Sequence, residues 1–164
     1  KISKKEKINI KNIKIYKNIK KVIKDNFLLV YTNIKRESSS IILSQKKKKI
    51  NTVNLYDKIK KLNRPTYEAI KMGNIQKIGK IFNYHWELKK LLSNKITDNQ
   101  IDKLYDKLIS KFNVIGGKLI GAGGGGFILV CTKNKKKLCK SLKENKINYL
   151  NFEIENSGSK IIEN

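Results

Sequence analysis

Ile115-Gly-Gly-Lys-Leu-Ile-Gly-Ala-Gly-Gly-Gly-Gly-Phe-Ile-Leu-Val-Cys-Thr132 holds seven of the chain's ten glycines. Residues that favour strands flank its densest part, Lys118-Leu119-Ile120 before it and Phe127 to Val130 after it. The stretch reads as strand, glycine loop, strand. Glycine loses the most backbone entropy on folding, so four in a row need a reason. A loop without Cβ atoms can adopt positive φ and admit a close approach by a ligand or by other backbone, and its successive N–H groups can converge on an anion. An ordinary hairpin turn needs only one or two glycines.

Two familiar phosphate loops are excluded by context. Gly121-x-Gly123-x-x-Gly126 has the spacing of the dinucleotide fingerprint, which works only between a strand and a helix, with an acid about twenty residues on. Here a strand follows, and Lys146 stands where the acid belongs. A P-loop needs Gly-Lys-Ser/Thr closing the loop, whereas Gly117-Lys118 is followed by Leu119 and precedes the glycine run.

Around this hairpin, the 164 residues leave room for one domain with a proper core. The formal charge of +25 suggests a polyanionic partner, but 36 of the basic residues are lysine and only Arg36 and Arg64 are arginine. Lys, Ile and Asn together make about half the chain, as AT-rich coding would produce. Specific nucleic-acid recognition leans on arginine forks and stacked aromatics, and neither is concentrated here. The runs Lys46–Lys49 and Lys135–Lys137 read as solvated charges, leaving weak, salt-sensitive binding to polyanions as the expectation. Cys131 and Cys139 lack any metal or disulfide pattern. No signal peptide or long apolar run appears, so the expectation is a reducing cytoplasm, without membrane insertion.

In chain order, Lys1 to Tyr16 alternates loosely like a strand, and Ile19, Val22 and Ile23 recur at helical spacing up to Asp25-Asn26. Phe27 to Thr32 is a buried strand ending in Asn33, a residue that tolerates a left-handed turn. Ser38, Ser39 and Ser40 serve either as N-cap of a helix through Ile41, Ile42 and Leu43 or, with the Arg36 fork, as a sugar-phosphate site. Three helices follow. The first spans Val53 to Met72 with a break at Pro65, and Gly73-Asn74 closes it and caps the next. The second runs from Ile75 to Leu92 with Ile75, Ile78, Ile81, Phe82, Leu88, Leu91 and Leu92 on one stripe. Thr97 and Gln100 form a capping box for the third, which continues to Phe112. After the hairpin come a helix over Asn134 to Asn145, with Leu138 and Leu142 inward, a strand over Tyr149 to Ile154, and a Ser157-Gly158-Ser159 turn into Lys160-Ile161-Ile162. The order predicts an α+β fold, a ferredoxin-like βαββαβ sandwich with an enlarged helical crossover.

Three segments in this order carry a family resemblance. Ile115 to Phe127 resembles the third sequence motif of the GHMP kinases, the galactokinase, homoserine, mevalonate and phosphomevalonate kinase superfamily. Leu28 to Ser40 is similar to the strand and Thr-Gly-x-x-Arg-x-Ser-Ser turn that open the C-terminal domain in the bacterial heptose 7-phosphate kinase subgroup, with Asn33 in place of glycine. His85-Trp86-Glu87-Leu88-Lys89-Lys90 resembles the subgroup's middle helix. Asn113-Val114 departs from a Gly-Ala step, so the approach to the hairpin differs.

The resemblance implies a kinase moving the γ-phosphoryl of ATP, with Mg²⁺, onto a sugar or sugar phosphate, heptose 7-phosphate by wording alone. The family's Pro-x-x-x-Gly-Leu-Gly-Ser-Ser cradle is absent from this sequence, and the chain begins with Lys1. Both features point to a C-terminal half that is inactive alone and whose partner is the N-terminal half of the same polypeptide, which would also carry the catalytic residues. Residues 1–26 would then be the tail of the N-terminal domain and a connecting helix, and residues 27–164 the C-terminal domain. Homodimerisation is compatible with this plan. The implied binding residues are Gly121, Ala122, Gly123, Gly124, Gly125, Gly126 and Lys118, followed by Thr32, Arg36, Ser38, Ser39, His85 and Lys89; no metal ligand is implied. His85, the single histidine, is either a packed, hydrogen-bonded residue or part of the cleft lining, and Lys89 shares its helical face. Lys118 could equally be a solvent-facing strand lysine. Two other classes stay open: a stand-alone non-catalytic ligand-binding domain, and a basic RNA-binding module. The latter calls for exposed aromatics on the central strands, where the Lys118 and Phe127 strands offer only Phe127.

Overall fold

The computed structural model describes residues 17–35, 41–44 and 51–154. The elements are α1 (Lys17–Asn26), β1 (Phe27–Tyr31), α2 (Asn51–Lys61), α3 (Asn63–Lys71), α4 (Ile75–Lys90), α5 (Asn99–Ser110), β2 (Val114–Leu119), β3 (Phe127–Thr132), α6 (Lys135–Glu144) and β4 (Tyr149–Leu150), with one further helical turn at 41–44. The strands form one antiparallel sheet in the order β2-β3-β1-β4. That order, with helices between β1 and β2 and between β3 and β4, is the ferredoxin-like plan, and the long first crossover is α2 to α5.

The alternation of β1 and β3 explains why the sheet is covered on both faces. Leu28, Val30, Ile128 and Val130 point to one side, where they meet Trp86, Ile101, Leu108, Leu138 and Leu142, all fully or almost fully buried. Burying each such side chain stabilises the fold by roughly 1.5–3 kcal/mol. Phe27, Leu129 and Cys131 point to the other side and pack in one cluster with Ile23 of α1, Ala69 of α3, and Ile78 and Phe82 of α4. An RNA-binding sheet would need that face open. The Tyr31–Phe127 pair, with ring centroids 5.1 Å apart at the hairpin end, is half-buried there.

Local chemistry sets the boundaries. Gly73 adopts φ +61°, and the bonds Gly73 N–H to Ile70 O and Asn74 N–H to Ala69 O close α3 as a Schellman turn. Asn74 then caps α4 by accepting from Lys77 N–H, and Asn134 caps α6 in the same way from Lys137 N–H. Asn33 takes the left-handed conformation expected of it, at φ +60°.

Several details differ from the sequence-based expectations. The break expected at Pro65 falls at Leu62, because Pro65 is the third residue of α3, where its missing N–H has no helical acceptor to lose. Asp98, not a Thr97–Gln100 box, caps α5: its extended backbone aims the carboxylate at Gln100 and Ile101 N–H, both 2.9 Å away, while Thr97 donates to Asp102. Leu91, counted on the α4 stripe, is 61% exposed because the helix ends at Lys90, and Trp86 fills the core instead. β4 stops at Leu150 rather than Ile154; Phe152 folds onto the second layer and Glu153 pairs with Lys24. The Lys1–Tyr16 strand and the 157–162 turn lie outside the described residues.

The tightest contact is between α4 and β2. A Cβ on Gly116 would fall on the Gly79 carbonyl, and one on Gly79 would lie 2.6 Å from Ile115 Cγ2. Because the obstacle at Gly116 is helix backbone, it cannot swing aside. Gly116→Ala is expected to lower unfolding free energy by roughly 3 kcal/mol, measured by urea denaturation.

Candidate functional site: a basic cleft beside the glycine hairpin

β2 and β3 pair as expected, with Leu119 opposite Ile128 and an irregularity between Val114 and Gly116 following the positive-φ Asn113. In the loop joining them, Gly121, Gly123, Gly124, Gly125 and Gly126 all have φ between +69° and +137°. The loop is held by backbone. Gly124 N–H donates to Ile96 O at 2.8 Å and Gly126 N–H to Ile34 O at 3.0 Å, while Thr32 donates to Gly126 O through both its N–H and its hydroxyl. A Cβ at Gly123 would lie 3.0 Å from Ile96 Cα, and one at Gly125 would lie 2.6 Å from Ile34 O. Close backbone packing therefore accounts for the glycines at 123 and 125, and the amides of Gly124 and Gly126 are committed to protein carbonyls.

The near side of the same loop opens onto a cleft of about 380 Å³ between α4, α2 and the end of β2. Its lining combines His85 and Lys89 of α4, Lys118 of β2, Gly121 and Ala122 of the loop, and a wall of Tyr56, Ile59 and Leu92. No described lining residue is acidic. The one-turn spacing of His85 and Lys89 puts both on the helix face that meets β2. Lys89 is buried, and its Nζ donates to Leu119 O at 3.1 Å and Gly121 O at 2.6 Å, tying α4 to the carbonyls where the strand becomes the loop.

His85 is squeezed between these cations. Burial, then the charges of Lys118 and Lys89, hold its pKa down at about 4, and its buried Nδ1 makes no hydrogen bond. The Lys118 ammonium lies 5.5 Å from the centre of the Phe82 ring, and burial lowers its pKa below the usual lysine value. A neutral imidazole and two ammonium groups around an apolar-walled cleft make a receptor for an anion with a hydroxylated or apolar body.

The structure thus brings together His85, Lys89, Lys118, Gly121 and Ala122. It separates Gly123 to Gly126, which pack against Ile34 and Ile96, and Thr32, which tethers the loop. Arg36, Ser38 and Ser39 lie outside the described residues. Tyr56, Ile59 and Leu92 were missed as lining residues, since nothing in their local spacing shows that α2 packs across α4. A larger hollow of about 910 Å³ lies by the other end of β3, but there Lys24 pairs with Glu153 and Lys135 donates to the Lys24 carbonyl. It does not adjoin the hairpin.

Residues 66–146, from α3 to the end of α6, match the family described as GHMP kinases C terminal. The chain carries a GHMP-kinase C-terminal domain. It is 30% identical over 129 residues to the L-fucokinase/L-fucose-1-P guanylyltransferase of Bacteroides fragilis, covering 74% of this chain and 13% of that protein. To the D-glycero-alpha-D-manno-heptose 7-phosphate kinase of Campylobacter jejuni it is 26% identical over 138 residues, covering 81% of this chain and 40% of the relative. Among solved structures, Methanococcus jannaschii mevalonate kinase superposes with a TM-score of 0.65 at 27% identity, covering 89% of this chain and 45% of that one. The chain spans less than half the length of each of these relatives. In this GHMP-kinase domain the cleft therefore sits beside the hairpin on which the family resemblance turned.

Two outcomes test this geometry. Gly125→Ala, which sets a methyl group against Ile34 O at φ +137°, is expected to cost roughly 1–3 kcal/mol in urea denaturation. The depressed pKa of His85 means that the unfolded chain binds the extra proton first, so stability is complete above about 6.5 and falls as pH drops toward about 4. His85→Gln should flatten that slope, read as urea midpoints across the same window.

Proposed function

We propose that this GHMP-kinase C-terminal domain forms the acceptor-binding side of an ATP-dependent kinase acting on a sugar or sugar phosphate, with heptose 7-phosphate the first substrate to try. The observation that carries the reading is the cleft of His85, Lys89 and Lys118 set against Gly121 and Ala122 at the mouth of the hairpin. Phosphoryl transfer asks little covalent chemistry of a protein and much positioning and charge stabilisation. Lysines held at the cleft wall supply both. The fucokinase and heptose-phosphate kinase relatives, which act on a sugar and a sugar phosphate, support the substrate class.

In this reading ATP and the catalytic groups sit mainly on a preceding domain of the same polypeptide, and the boundary falls between Asn26 and Phe27. Helix α1 docks on the second core layer through Ile23, which supports its reading as the connector to that preceding domain. A Mg²⁺ ion serving the phosphates belongs to the same reading. Here Lys89 holds the loop carbonyls in place, and Lys118 meets the negative charge of the acceptor.

The test is ATP consumption by the gene product containing this domain, across a panel of free sugars and sugar phosphates that includes heptose 7-phosphate. Acceptor-dependent turnover is expected, falling roughly 10²-fold in Lys118→Met with the fold intact. A folded product that consumes ATP with no member of the panel overturns the reading.

A further inference from the structure

The cleft contains more positive charge than its own packing uses. Lys118 is half-buried with its ammonium 5.5 Å from the centre of the Phe82 ring, and no carboxylate lies within ion-pair distance of it among the described residues. Glu87, the acid nearest in sequence on α4, is paired with Lys90 at 2.9 Å. His85 Nδ1 is shielded from water without a partner. Enclosed charges and polar atoms are normally paired, because an unpaired one forfeits its hydration for nothing. Lys118 and His85 both line one hollow whose described lining holds no acid, so a ligand carrying the opposite charge would supply the counter-charge that the protein does not.

We propose that this cleft is a subsite for the phosphate already present on the acceptor, so that the enzyme selects a sugar phosphate over a free sugar. The inference rests on the kinase reading above. Lys118 supplies the ammonium and His85 the imidazole. Lys89, anchored to Leu119 O and Gly121 O, adds positive charge from behind without leaving the loop. The groups facing His85 are Lys89 on its own helix, Lys118 on β2 and Tyr56 on α2, and none of them is an acid. A bound phosphomonoester reverses the sign of the field at the imidazole, so binding couples to proton uptake by His85 and tightens as pH falls.

His85 is the single histidine of this chain, so its ring protons can be followed by NMR without ambiguity. The chain is titrated with acid alone and then in the presence of glucose, glucose 6-phosphate, inorganic phosphate or a non-hydrolysable ATP analogue. Glucose 6-phosphate and inorganic phosphate are expected to raise the His85 midpoint by about one unit or more, with glucose leaving it in place. Lys118→Met should weaken glucose 6-phosphate binding at least ~10-fold, and Lys118→Arg should restore most of it, which separates lost charge from lost fold. A midpoint that no phosphate moves in the folded chain, or that glucose moves equally, overturns the proposal. If the ATP analogue moves it and glucose 6-phosphate does not, the phosphate belongs to the nucleotide and the assignment to the acceptor fails.

This readout is independent of turnover. A gene product that phosphorylates free sugars only, with His85 silent to phosphate, would overturn this inference and leave the kinase reading standing. A responsive His85 in a product with no kinase activity would do the reverse.

Discussion

Where β2 passes under α4, Gly116 runs so close to the helix that a methyl group in its place would collide with the Gly79 carbonyl. At Gly116 the obstacle is helix backbone, and on the Gly79 side it is the Ile115 side chain. This contact fixes the height of α4 over the sheet, and two to three turns further along the helix, His85 and Lys89 arrive beside Lys118 and the end of β2. Lys89 then reaches Leu119 O and Gly121 O. Raising the helix by the thickness of a methyl group would stretch both bonds and open the cleft wall. The core layer around Trp86 and Ile101 is equally committed to that height, since a close-packed interior transmits such shifts.

The glycine hairpin is the second consequence of backbone packing. Its positive-φ residues thread between Ile34, just past β1, and Ile96, in the turn before α5, with hydrogen bonds to both carbonyls. The loop is therefore held by parts of the chain about thirty and ninety residues away. What it presents to the cleft is its first corner, Gly121 and Ala122, while the four-glycine run behind it serves close packing. The charge of the chain follows a similar division. Most of the described lysines lie exposed along helices, where water and salt screen them, but Lys89 is buried and Lys118 half-buried, and there the same charge is screened less.

Much of this was legible in the residues. Alternation and glycine density gave the strand pair around 121–126, and the 3.6-residue periodicity gave the helices with Ile78, Leu138 and Leu142 inward. Asn33 and Gly73 marked their left-handed turns because few other residues adopt that conformation cheaply. The family motifs marked His85, Lys89 and Lys118 as worth watching. Boundaries were less legible. Asp98 displaced Thr97 as cap, and Leu62 displaced Pro65 as the helix break, because caps and breaks depend on which neighbouring backbone turns toward which side chain.

Sequence alone settled the order of elements and hence the ferredoxin-like plan, because hydrophobic period and turn chemistry are local properties of the chain. The site needed folding in three dimensions. His85 belongs to a helix, Lys118 to a strand, and Tyr56 to another helix that no local pattern places across the first. Whether a lysine is a solvated surface charge or an enclosed ligand depends on what the rest of the chain packs around it, and the lysine codon looks the same in either case.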